Sequence, residues 1–420
     1  MVVRFVRVIR VPACARVSRV SRVCPGSPRC LFTGLILLYW DAQRAHSHSV
    51  NMLSAAGRVH VPAQQRRSQP VCTLGGGNIS LFKPRVTSWR GLFRPKQRPP
   101  AGRSAVGSRH TGRLALTALG GAAAAIAVRR RRRPLPVVLV HGILDSAGNM
   151  EEAAGWVREA LGPGSYVRCI EIGNGEVDSL IMPMNQQLSQ LAAQLQADVR
   201  LSRGFNLIGY SQGSLLARGF VQRYGTPRVH TLISWVGPQA GQYGCPDWEA
   251  NWPDLAASTV IAINQLTSAV WYSDASQASL SFSNYWRDPL RLELYRQKSA
   301  FLADLNNEAA HPPNRTYAAR LEHLEAFVLV ASSADTIIVP RESSWFGFYA
   351  DNSTSEIVPL RQSDLYKHDR LGLRALDRAG KLHFAKVDCR HREVPAAACK
   401  LQVWIGATRA FLELMAAYEH

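Results

Sequence analysis

Residues 209–213 read Gly-Tyr-Ser-Gln-Gly, directly after Phe205-Asn206-Leu207-Ile208 and before Ser214-Leu215-Leu216-Ala217-Arg218. A serine at a sharp turn from strand into helix needs small residues two positions either side, because a Cβ there would strike the strand or the helix. The turn lifts the Ser211 hydroxyl clear of the sheet and aims the N-terminus of the next helix at any oxyanion formed beside it. A hydroxyl is a weak nucleophile at neutral pH, so Ser211 needs a histidine to take its proton, and the histidine needs a carboxylate to fix its tautomer. Asp335, in Ser-Ser-Ala-Asp-Thr, and His391, in Asp-Cys-Arg-His-Arg, follow in the order nucleophile, acid, base. Asp351 and Asp388 compete as acids, and His383 and His368 as bases. His383, however, falls inside an expected strand and His368 in a charged helical stretch, where a solvated role is ordinary.

An oxyanion needs two N–H donors, one from the residue after the nucleophile and one from the loop after an earlier strand. Gln212 supplies the first. The run His141-Gly142-Ile143-Leu144-Asp145 follows the apolar Val137–Val140 and supplies the second, through the Ile143 amide with Gly142 permitting the turn. His141 itself reads as structural. The chemistry calls for no metal or cofactor.

These residues require a sheet whose strands all end on one side. The chain from Pro134 to His420 alternates β-rich runs with helical patterns, the mark of a mostly parallel sheet flanked by helices, here the α/β-hydrolase fold. Expected strands are Val137–Val140, Tyr166–Ile172, the run into the Ser211 turn, Thr231–Val236, Phe327–Ala331 and Lys381–Val387. Expected helices are Glu151–Leu161, Met184–Leu201 with Leu188, Leu191, Leu195 and Val199 on one face, and about Leu401–Tyr418. The roughly 90 residues between Val236 and Phe327 are too many for loop, so residues 238–325 are expected to form a helical insertion over the active site. That stretch is rich in aromatics. Trp235, Trp248, Trp271, Tyr285 and Trp286 are candidates to line an acyl groove, with ordinary packing of the insertion onto the sheet as the alternative.

The net charge of +20 invites a nucleic-acid reading, which its distribution refutes. Residues 1–133 hold 25 of the 50 Lys and Arg but one of the 30 acids, Asp41, so residues 134–420 hold 25 basic and 29 acidic residues. The basicity belongs to an extension rich in Arg, Ser, Pro and Gly, which reads as a targeting or disordered segment. Within it lie the apolar stretches Leu31–Trp40 and Leu114–Val128, the second flanked by Arg113 and Arg129–Arg133. At about 15 residues, Leu114–Val128 is short of the roughly 20 that span a bilayer and suits a signal or transit segment, with a non-native upstream extension or membrane anchoring as the alternatives. The arginine run also suits a processing site that releases a chain beginning near Pro134. Cysteines 169, 245, 389 and 399 lack zinc-site spacing. Cys389 and Cys399 can be bridged in an oxidising compartment, and the sequons at Asn314 and Asn352 are compatible with secretion.

A more specific resemblance rests on His-Gly-Ile-Leu-Asp-Ser (141–146), Gly-Tyr-Ser-Gln-Gly (209–213), Gly-Pro-Gln-Ala-Gly-Gln-Tyr-Gly (237–244), Asn-Tyr-Trp-Arg-Asp-Pro (284–289), Phe-Leu-Ala-Asp-Leu-Asn-Asn-Glu (301–308), Ser-Ser-Trp-Phe-Gly-Phe-Tyr (343–349) and Leu-Tyr-Lys-His-Asp-Arg-Leu-Gly-Leu (365–373). In this order they resemble the palmitoyl-protein thioesterase family across essentially all of 134–420. The resemblance implies a lysosomal or secreted enzyme that removes long fatty acyl groups from cysteine thioesters of S-acylated proteins or from acyl-CoA, with Ser211, Asp335 and His391 matching the triad. Cys-Arg-His departs from the small residue and acid expected before the histidine. A lipase or esterase acting on long-chain oxygen esters is the alternative, since elbow, triad and groove serve both reactions. A non-catalytic lipid-binding relative is the reading from another class.

Overall fold

The computed structural model describes residues 134–244, 246, 257–309 and 311–412. The basic extension with its two apolar stretches and arginine run, Trp248 and residues 413–420 all lie outside them.

Six parallel strands form one sheet: β1 (Val137–Val140), β2 (Val167–Ile170), β3 (Phe205–Tyr210), β4 (Val229–Trp235), β5 (Ala326–Ser332) and β8 (Leu382–Val387), in the order β2-β1-β3-β4-β5-β8. β1, β3 and β5 are buried along their whole length, as is β4 apart from His230. Strands covered on both faces carry apolar runs rather than alternation. The edge strands β2 and β8 hold the partly exposed Arg168, Cys169, His383 and Lys386. A separate two-stranded hairpin pairs β6 (Phe348–Tyr349) with β7 (Ile357–Val358).

On one face, Ala153, Ala154, Trp156 and Val157 of helix α1 (Glu151–Leu161) join Val403, Trp404 and Leu412 of the C-terminal segment in a single apolar cluster with Val137, Leu139, Ile208, Ile233, Val328 and Val330. Each fully buried Val or Leu there contributes about 1.5–3 kcal/mol. On the other face lie α3 (Met184–Ala197) and α4 (Gln212–Arg223), which follow the short α2 (Glu176–Ile181). A Cβ on Gly219 of α4 would stand 3.0 Å from Leu188 of α3, so the two helices meet closely at that glycine.

Two expected helices are built differently among the described residues. α3 stops at Ala197, because the Asp198 carboxylate accepts the Arg200 amide and starts a single 3-10 turn; Leu188, Leu191 and Leu195 are buried, while Val199 is 81% exposed. The C-terminal segment opens with a π-helical turn at Leu401–Gly406 in place of regular α-helix, which begins at 409 and continues to the last described residue, 412. The crossover from β4 to β5 contains five α-helices among the described residues: α5 (Ala257–Trp271), α6 (Asp274–Gln277), α7 (Leu292–Lys298), α8 (Leu302–Leu305) and α9 (Arg315–Glu322). Arg218 of α4 ties this crossover to the sheet. Fully buried, it donates to Gln239 O at 3.1 Å and to Asn306 Oδ1 at 2.8 Å. Burial draws its pKa down to about 9, so it stays charged at neutral pH.

Because every strand of the six-stranded sheet pairs in parallel, the loops after β1, β3, β5 and β8 leave the same edge of that sheet. They carry His141–Ser146, Ser211, Asp335 and His391 respectively.

Candidate active site

Ser211 sits between β3 and α4 with φ 52° and ψ −125°, a left-handed conformation that a serine adopts only under constraint. The constraint is close packing. A Cβ on Gly209 would lie 2.5 Å from Ser214 Cα, and one on Gly213 would lie 2.4 Å from the carbonyl oxygens of Val140 and His141. Those contacts are with backbone, so neither position tolerates a side chain. The Ser211 amide donates to Trp235 O at 2.9 Å, fixing the turn to β4.

Asp335, three residues beyond β5, accepts the amides of Ile337 and Ile338 on Oδ1 at 2.9 and 3.0 Å. Its Oδ2 lies 2.8 Å from His391 Nδ1, and His391 Nε2 lies 2.9 Å from Ser211 Oγ. With the carboxylate accepting Nδ1–H, Nε2 presents its lone pair to the serine proton. Ser211, Asp335 and His391 are 4%, 4% and 5% exposed, so water screens the chain of bonds little.

The rival groups lie elsewhere. His383 packs on Phe411 at 4.6 Å and is lowered in pKa by burial, His368 closes a short helix at the surface, Asp351 is exposed, and Asp388 accepts from Ser333 Oγ. Arg390 and Arg392 are exposed, and the Arg390 amide donates to Glu393.

Three supporting contacts were not read from the sequence, although Tyr210 and Gln242 lie within motifs 209–213 and 237–244. Tyr210 Oη donates to His391 O at 3.1 Å with its ring 5.4 Å from the imidazole. The Ser332 hydroxyl donates to Cys389 O, joining the acid loop to the histidine loop. Gln242 donates to Ile337 O at 3.0 Å, accepts the Val339 amide at 3.1 Å and bridges to Trp286, so the acid loop is bound to the crossover. A Tyr, a Ser and a Gln at such positions are too common to single out by type. A disulfide joins Cys389 to Cys399 across the histidine loop.

The loop after β1 passes directly over the serine: a Cβ on Gly142 would lie 3.0 Å from Ser211 Cβ. The next turn places Leu144 at φ 52° and commits its amide to Ser179 Oγ at 2.7 Å. Gln212 is the first residue of α4, where an N–H has no acceptor inside the helix. His141 bonds Gly142 O and accepts the Ile172 amide, with Glu171 Oε1 3.0 Å from its Nε2.

Of the aromatic candidates, Trp271, Tyr285 and Trp286 come together. Trp271 lies 6.2 Å from Trp286, and Phe282 joins them at 5.3 Å from both Trp271 and Tyr285. Tyr243 adds a fifth ring 5.2 Å from Trp286. Trp235 does not join them. It belongs to the apolar cluster shared with α1 and the C-terminal segment, and its indole N–H donates to Thr408 at 2.9 Å. A strand buried on both faces offers apolar side chains to each, so sequence could not say which layer Trp235 faced. The sequon asparagines Asn314 and Asn352 are both exposed.

The family profile described as Palmitoyl protein thioesterase matches residues 136–391, from the start of β1 to the histidine. Palmitoyl-protein thioesterase 3 of Dictyostelium discoideum is 45% identical over 260 residues, 62% of this chain and 86% of the relative. Palmitoyl-protein thioesterase 1 of Caenorhabditis elegans is 33% identical over 274 residues, 64% and 89% of the two chains. The lysosomal thioesterase PPT2 homolog of Drosophila melanogaster is 34% identical over 248 residues, 59% and 82%. With the profile spanning every element that presents the buried serine, acid and histidine, the chain belongs to the palmitoyl protein thioesterase family of thioester hydrolases.

Proposed function

We propose that Ser211 is the nucleophile, His391 its base and Asp335 the orienting acid in hydrolysis of long-chain acyl thioesters, chiefly palmitoyl, on cysteines of S-acylated proteins or on acyl-CoA. The observation that carries this reading is the continuous line of bonds from Asp335 Oδ2 through His391 to Ser211 Oγ, 2.8 and 2.9 Å, at the head of a helix. As Oγ attacks the thioester carbonyl, His391 Nε2 takes its proton, and the oxyanion rests on the amides of Gln212 and Ile143. Collapse expels the thiolate, a leaving group that needs little protonation. His391 passes the proton to the departing thiolate and, neutral again, takes one from a water that attacks the acyl-enzyme; collapse returns that proton to Ser211 Oγ and frees the fatty acid. Trp271, Tyr285 and Trp286 supply the apolar wall on which each methylene of the acyl chain gains about 0.8 kcal/mol, so long chains bind better than short ones.

Residues 134–420 form the hydrolase domain in this reading, with the crossover at about 238–325 as its acyl-binding insertion. The basic extension directs the chain to the lysosomal or secretory lumen. The Cys389–Cys399 disulfide, which persists in oxidising compartments, and the two exposed sequons support that address.

The test is hydrolysis of a palmitoyl thioester and the matched oxygen ester by the full chain and its Ser211→Ala variant. Thioester turnover should fall at least about a thousandfold in the variant, with the oxygen ester cleaved more slowly by the wild type. Preference for the oxygen ester makes the enzyme a lipase-like esterase, and turnover surviving in Ser211→Ala removes the serine mechanism.

A further inference from the structure

Ser179 lies on α2, outside the triad and outside every motif that marks the site, and its side chain is completely buried. Its hydroxyl has two partners, one on each side. The proton goes to Glu176 O at 2.6 Å, and the oxygen accepts the amide of Leu144, in the loop over Ser211, at 2.7 Å. Its carbonyl accepts three donors: Gln212 Nε2 and Gln187 Nε2, each at 2.9 Å, and Ser281 Oγ at 2.7 Å. Gln187 Oε1 in turn accepts from Gln212 Nε2 at 3.1 Å, closing the network on itself.

The four elements that converge on this residue are the loop after β1, the head of α4, helix α3 and the crossover. Two of them carry the amides of Ile143 and Gln212. Leu144 is held at φ 52°, a conformation that a leucine leaves readily once its amide is released. Release would rotate the adjoining peptide, and with it the Ile143 amide. An oxyanion donor acts only if it is aligned before charge develops, so a shift of well under an ångström costs rate.

We propose that Ser179 is a positioning residue for the oxyanion hole. Its hydroxyl locks the Leu144 turn and its carbonyl locks the Gln212 side chain, so that one residue sets the separation of the two amide donors. The inference rests on the serine-hydrolase reading above.

The test compares the wild-type full chain with Ser179→Ala, Ser179→Cys and Ser211→Ala. Alanine removes the acceptor for Leu144 but keeps the backbone carbonyl. Cysteine keeps a proton at that position but is bulkier and offers a weak acceptor. Loss of one complete oxyanion donor costs about a hundred- to a thousandfold. A misaligned donor costs less, so kcat on a palmitoyl thioester should fall about ten- to a hundredfold in Ser179→Ala and by an intermediate factor in Ser179→Cys, with KM within threefold. Affinity for a long-chain trifluoromethyl ketone, which forms the tetrahedral oxyanion, should weaken by the same factor as kcat. Affinity for a non-hydrolysable palmitoyl thioether should stay within threefold, a split that general loosening of the fold would not produce.

A folded Ser179→Ala with kcat within threefold of wild type overturns the inference, as does equal weakening of both ligands. Failure of both Ser179 variants to fold overturns it in favour of a purely structural role. Turnover surviving in Ser211→Ala instead sinks the serine mechanism beneath it, which keeps the two failures apart.

Discussion

Asp335 serves three donors at once, the amides of Ile337 and Ile338 on one oxygen and His391 Nδ1 on the other. Asparagine can keep the first two, but its amide nitrogen then meets Nδ1 and forces the imidazole proton onto Nε2, where it can no longer accept from Ser211. Asp335→Asn should therefore lower kcat by about a thousand- to ten-thousandfold while a thermal melt stays within a few degrees of wild type. Activity within tenfold would remove Asp335 from the mechanism. Ser211, Asp335 and His391 were legible because residue type, chain order and position after a strand converge on few candidates. Tyr210, Ser332 and Ser179 were not, because the partners that tie each to the site lie on loops distant in sequence. Nothing in a lone serine announces a partner 35 residues away, as Leu144 is from Ser179.

Strands were legible wherever the sheet covers both faces, since an unbroken run such as Val137–Val140 has no other stable home. Ends were harder, because they are set by single polar groups. Asp198 is the example: burial opposes its charge, but bonds from Arg200 and Tyr166 outweigh burial and hold its carboxyl well below the usual carboxylate range. Asp198→Asn should lose about 1.5–3 kcal/mol at pH 7, measured by denaturant unfolding. With the folded pKa depressed, the stabilisation is full above the unfolded value near 3.9 and is lost as pH falls toward the folded value. The gap between variant and wild type should therefore hold from neutrality to about pH 5 and narrow below it; a gap independent of pH down to 2 would mean that the charge is not its source. The disulfide is a second device at this scale. Cys389 and Cys399 are 10 residues apart and enclose His391. A loop of that size stabilises by roughly 2–3 kcal/mol, so Cys399→Ser should lower the melting temperature and should cut kcat more than it raises KM. Unchanged turnover would show that the histidine loop needs no closure.

For the molecule as a whole, the charge divides at about residue 133, and the sheet among the described residues lies C-terminal to that point. If the chain reaches a secretory lumen, enzymatic removal of N-glycans from protein recovered from eukaryotic cells should lower its mass by two glycans, at the exposed Asn314 and Asn352. An unchanged mass would count against the luminal address. The parallel sheet has a further consequence, in time rather than in space. His391 Nε2 meets a hydroxyl 180 positions earlier in the chain, and does so only after β8 docks on β5 at the far edge of the sheet. During synthesis Ser211, its turn and the loop after β1 emerge long before His391. Under the proposed serine mechanism, ribosome-bound chains halted short of residue 391 carry the nucleophile without its imidazole, and the onset of hydrolysis waits for β8 to pair with β5.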